Sequence, residues 1–113
     1  MGETEKAKQF EKQITQVLTT PETAAIKTML EKDHAIDCLF LLLLDKGKWK
    51  RAKGYMNKHD LTLSDGTYRA RMIEITGLGL AEAKPIDPLK REYVITEKGE
   101  ALALALLKLL QNI

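Results

Sequence analysis

Within one short stretch, His59, Ser64 and Asp65 are of the types that a hydrolytic triad combines. A serine nucleophile of that kind sits on a strained turn, and no Gly-x-Ser-x-Gly elbow surrounds Ser64. A hydroxyl just ahead of Asp65-Gly66-Thr67 is instead what the start of a helix needs. Metal chemistry fares no better. Cys38, His34 and His59, with Asp33 and Asp60 beside the histidines, fall short of the roughly four ligands of a structural zinc site. Cys38 lies in the apolar run AIDCLFLLLL and is expected in the core. No phosphate-binding loop or dinucleotide fingerprint occurs. The expectation is a chain with no catalytic residues, no metal and no cofactor.

Charge offers a different chemistry. Residues 45–71 hold eight Lys and Arg against three Asp, a local +5 in a chain whose total is +2. Positive charge gathered in one stretch is the footprint of polyanion binding, although a solvated surface would have the same composition. A lone cysteine and a charged, helical N-terminus without a secretory signal point to a reducing, cytoplasmic setting. The run LFLLLL at 39–44 is far too short to span a bilayer. The length, 113 residues, suits a single domain.

Residues 3–18 carry Ala7, Phe10, Ile14, Val17 and Leu18 at helical spacing. Thr20-Pro21-Glu22 has the cap, proline and acid of a second helix start, running to about Lys32. Asp33 is placed to cap a third, very apolar helix through about Lys46. Lys48-Trp49-Lys50 alternates as a short strand does, with Trp49 packing between it and a later hairpin. A short helix over 51–59 follows, with Ala52, Tyr55 and Met56 inward. Ser64 caps a helix to Thr76 or Gly77, whose inner face is Tyr68, Met72 and Ile75. Residues 80–84 and 91–95 read as strands around PIDPLK, whose prolines keep the tip out of the ladder. Thr96 caps a last helix over 97–112, with more leucine than a small core needs.

A short helix, a brief turn and a capped helix make the helix-turn-helix pattern, in which the second helix enters the major groove of DNA. The outer side of that second helix reads as Gly66, Thr67, Ala70 and Glu74, flanked by Arg69 and Arg71. Small residues at 66 and 70 permit close approach, and Arg69 and Arg71 are sized to reach guanine edges or phosphates. Ser64 and Thr67 stand where a helix N-terminus attracts a phosphate. Lys50 and Arg51, from the same cationic stretch, complete the central candidates.

Residues 61–100 resemble the winged helix-turn-helix core of the MarR and HxlR transcriptional regulators. Met72-x-x-Ile75 followed by Gly79-Leu80, Asp87-x-x-Lys90-Arg91, and Ile95-Thr96-Glu97-Lys98-Gly99 carry the resemblance. Ala70 stands where family members often carry an arginine. The resemblance implies a mainly α fold with a small β-hairpin wing: a winged helix-turn-helix with extra N-terminal and C-terminal helices. It implies double-stranded DNA as partner, with Lys84, Lys90 and Arg91 of the wing on phosphates. It also implies a homodimer paired through 3–18 and 97–112, around a core at 33–96. Two other roles stay open: a protein-interaction module, and a repressor responding to a small molecule for which the sequence identifies no pocket.

Overall fold

The structure, a computed structural model, describes the backbone of residues 2–44, 49–87 and 90–113 and the side chains of 4–44, 54–85 and 92–113. In chain order the elements are α1 (Gly2–Thr19), α2 (Pro21–Leu30), α3 (Ala35–Leu42), α4 (Trp49–Lys58), α5 (Asp65–Gly77), β1 (Ala81–Asp87), β2 (Lys90–Ile95) and α6 (Glu97–Gln111). The fold is mainly helical, with one two-stranded antiparallel sheet. No helix among the described residues is long and apolar enough to cross a membrane.

The core is built on α3. Ala35, Cys38, Leu39, Leu41 and Leu42 are all buried there. Met72 and Ile75 of α5, Leu80 ahead of the hairpin and Ala103 of α6 pack into the same cluster. An eight-residue helix with so wide an apolar face cannot rest in water, so it takes the centre and the longer helices surround it. Burial pushes the Cys38 thiol up to about 12, with the Asp37 carboxylate adding to the effect. Burial likewise raises Tyr68 above the ordinary phenol range.

Several boundaries differ from the sequence expectation. Asp33 does not cap α3. His34 occupies the N-cap with φ 62°, and α3 ends at Leu42 in a tightened turn, Leu43 N donating to Phe40 O at 3.0 Å. Thr20 supplies no side-chain cap to α2; its hydroxyl donates back to Gln16 O of α1 at 2.5 Å. Trp49 and Lys50 open α4 instead of ending a strand. Three alternating residues are weak evidence of a strand, and the good helix formers Lys50, Arg51, Ala52 and Lys53 extend the helix backward through them. The packing expected of Trp49 and Ala52 falls on side chains outside those described. Tyr55, expected in the core, is 40% exposed and rests against His59, ring centroids 4.6 Å apart. Pro85 lies within the ladder opposite Arg91 instead of outside it. A two-stranded sheet is all edge, so a residue without an N–H is tolerated there, and the register shifts between Pro85 and Asp87.

The closing helix is seated by a small clasp. Thr96 Oγ1 accepts from Gly99 N at 3.1 Å, the N-cap expected from the sequence, and donates to Gly79 O at 2.8 Å. Thr96 N donates to Leu80 O at 3.1 Å. Gly79 takes φ 76°, a conformation glycine adopts at no steric cost. A Cβ on Gly99 would lie 1.9 Å from Leu80 O, so α6 reaches the sheet only because this residue has no side chain. Gly99→Ala is expected to destabilise the fold by about 1–3 kcal/mol or more, as overpacking against backbone does. Thermal unfolding followed by circular dichroism measures it, and an unchanged midpoint would refute the clasp.

Candidate nucleic-acid interface

α5 starts at Ser64, whose extended backbone (φ −77°, ψ 155°) lets its hydroxyl turn into the first turn and accept from Thr67 N at 3.1 Å. The Ser64 hydroxyl proton goes to Thr67 Oγ1 at 3.0 Å. Thr67 is therefore left with its own hydroxyl proton to give outward, next to the positive end of the helix dipole. Asp65 in the same turn favours the helix but opposes an incoming anion. Ser64 thus serves the helix first, and Thr67 is the better placed of the two to meet a phosphate.

Tyr68, Met72 and Ile75 face the core as expected. The outer stripe is rotated from the one read in the sequence. Gly66, Arg69 and Ile73 are exposed, with Ala70 partly so. Arg69 has no ion-pair partner among the described residues. Arg71, expected beside it at the surface, is turned in: its side chain is 15% exposed and its Nη1 lies 3.4 Å from Glu74 Oε2. Glu74, expected on the outer face, accepts from Lys32 Nζ at 3.1 Å through its other oxygen. The cause is α2. Lys32, just past its end, stands over this side of α5 and draws Glu74, and Glu74 draws Arg71. Glu74 is thereby the strut between helices, held by Lys32 from beyond α2, and it keeps Arg71 of its own helix off the outer face.

Ile73 is the outward residue the sequence reading missed. It is 59% exposed, four residues beyond Arg69 and seven beyond Gly66. That i, i+3, i+7 spacing was the available signal. An exposed apolar side chain beside an arginine suits a thymine methyl next to a guanine edge.

The hairpin packs beside α5 through β1. Its register runs from Ala81 opposite Ile95 at the base to Asp87 opposite Lys90 at the tip. Lys84 is exposed and sits across from Glu92, which offsets part of its charge. Positions 90 and 91 fall at the tip end of β2, and positions 50 and 51 at the start of α4. The side chains of Lys50, Arg51, Lys90 and Arg91 lie outside the described residues. Among the described residues no group of three His, Cys, Asp or Glu could hold a metal ion.

Glu74→Gln tests the strut. It keeps the shape but removes the charge that compensates the largely buried Arg71, and a loss of about 1–3 kcal/mol in chemical denaturation is expected. Stability equal to the parent would mean that Arg71 reaches solvent unaided.

No protein-family model, no curated protein and no solved structure matches this chain.

Proposed function

We propose that the chain is a winged helix-turn-helix, sequence-specific double-stranded DNA-binding transcriptional regulator. In this reading α4 and α5 form the helix-turn-helix, the outer face of α5 enters the major groove, and β1–β2 is the wing along the backbone or minor groove. The observation that carries it is the outer stripe of α5: an exposed arginine between a glycine and an isoleucine, beginning at a capped helix N-terminus. Gly66 brings the helix close, Thr67 donates to a phosphate, Arg69 reads a guanine edge and Ile73 meets a thymine methyl. Lys84, with Lys90 and Arg91, contacts phosphates and sets register without reading sequence.

The same reading includes a homodimer. Phe10, Ile14, Val17 and Leu18 form an exposed stripe on α1, and Leu104, Leu109, Leu110 and Ile113 are exposed on and just after α6. Water is a poor neighbour for both surfaces. The chain is also extended, 60 × 29 × 22 Å, with a radius of gyration of 16.7 Å where a compact chain of this length has roughly 13 Å. Two copies joined through α1 and α6 would present their α5 helices to successive major-groove turns.

A second reading is a protein-interaction module on the same scaffold. It is favoured by Ile73, an apolar side chain at the centre of the outer stripe, and by the inward turn of Arg71.

Fluorescence anisotropy with labelled duplexes separates the two. The DNA-binding reading expects affinity that falls steeply with salt. It expects Arg69→Ala to weaken the preferred duplex by about 5- to 100-fold, in line with the roughly 1–3 kcal/mol of a bidentate base contact. Full affinity in Arg69→Ala would reject the assignment of α5. For the assembly, light scattering should give twice the chain mass for the parent and a single chain mass for Phe10→Glu with Ile14→Glu. A monomeric parent at micromolar concentration would remove the dimer.

A further inference from the structure

A cavity of about 410 Å³ opens between α3, α4, the connector at 61–63 and α6. Phe40, Leu41, Leu44, Met56, Leu63 and Leu107 give it an apolar lining. Its solvent end carries His34 and Asp37. Both the size and the mix, mostly hydrocarbon with a few polar groups at one end, are those of a small-molecule site.

The polar end has a definite sense. His34 Nδ1 lies 2.8 Å from Asp37 Oδ2. An ionised carboxylate only accepts, so the proton of that bond is on Nδ1. In its neutral form the imidazole then presents Nε2 as an acceptor, and Asp37 has Oδ1 as another. Two acceptors and one negative charge call for a head group that donates and is cationic. A carboxylate-headed ligand would meet repulsion at the same place.

His34 is also hard to explain by folding alone. It stands at the N-cap of α3, where Ser, Asp or Asn would bond the helix, and its ring makes no cap bond. It takes φ 62° to do so. Among the described residues the one other non-glycine residue with positive φ is Asp60. Asp60 immediately precedes Leu61, Thr62 and Leu63, which also line the cavity. Uncommon backbone thus adjoins two segments of the lining.

We propose that this cavity binds a small aromatic amine, its ring system among the leucines and its ammonium group on Asp37 Oδ1 and His34 Nε2. Binding of the amine requires neither DNA nor a second copy of the chain.

Titration calorimetry with naphthylethylamine and naphthylacetate, a pair alike in hydrocarbon and opposite in charge, tests it. The parent should bind one amine per chain and bind the carboxylate at least tenfold more weakly. Asp37→Asn should bring the two affinities to within a few-fold of each other while keeping the circular dichroism of the parent. Leu107→Phe, which narrows the cavity, should weaken amine binding without lowering the unfolding midpoint. Equal affinity of the parent for both probes, or no binding of either, overturns the proposal. So does amine binding that appears only in Phe10→Glu with Ile14→Glu, since the occupant would then be α1 of a second copy.

Discussion

Burial of one short helix is the constraint on which the rest of the molecule depends. α3 has eight residues, and five of them are buried. Those five need cover, so α2, α5, α6 and β2 all pack on it. Each neighbour turns one apolar stripe to it and leaves its other side free. That division is why the outer face of α5 can be spared for Gly66, Arg69 and Ile73 while Tyr68, Met72 and Ile75 anchor it. The ion pairs are secondary. Glu22 with Lys98 ties the start of α2 to the start of α6 and holds the Glu22 carboxyl below its usual range, but this pair is at the surface, where such contacts are weak.

What the sequence made legible was local chemistry. Ser64 and Thr96 act as N-caps as their positions imply, because a cap depends on a few neighbouring atoms. The inner face of α5 follows from helical spacing. The two strands were recognisable from their β-rich runs, although Pro85 proved to be inside the ladder, since a two-stranded sheet leaves proline an unbonded edge. What could not be read was anything decided by a partner distant in sequence. Arg71 and Glu74 turn inward because Lys32, forty-two residues before Glu74, stands above them. No periodicity within α5 encodes that. Gly99 marks a middle case. Its place three residues after Thr96 was visible as a motif, but the reason for it, the carbonyl of Leu80, was not.

The candidate interface is therefore narrower than the charge count suggested. Eight cations lie between 45 and 71, yet on α5 one is spent inside the fold and one faces out. Contact with a polyanion would then rest on Arg69 together with cations held on α4 and the hairpin. Such an arrangement makes the relative placement of three elements matter more than total charge. The Thr96 and Gly99 clasp bears on this, because it fixes Gly79 and Leu80, two of the three residues through which α5 passes into β1.

The joint between α1 and α2 gives α1 a mechanical character. Hydroxyls of Thr19 and Thr20 bond the carbonyls of Thr15 and Gln16 at the end of α1, and that of Thr23 reaches back from α2 to the carbonyl of Val17. Eighteen residues of helix then extend about 27 Å from that point. Because α1 is so long, a change of about ten degrees in its direction at Thr20 would displace its far end by roughly 5 Å.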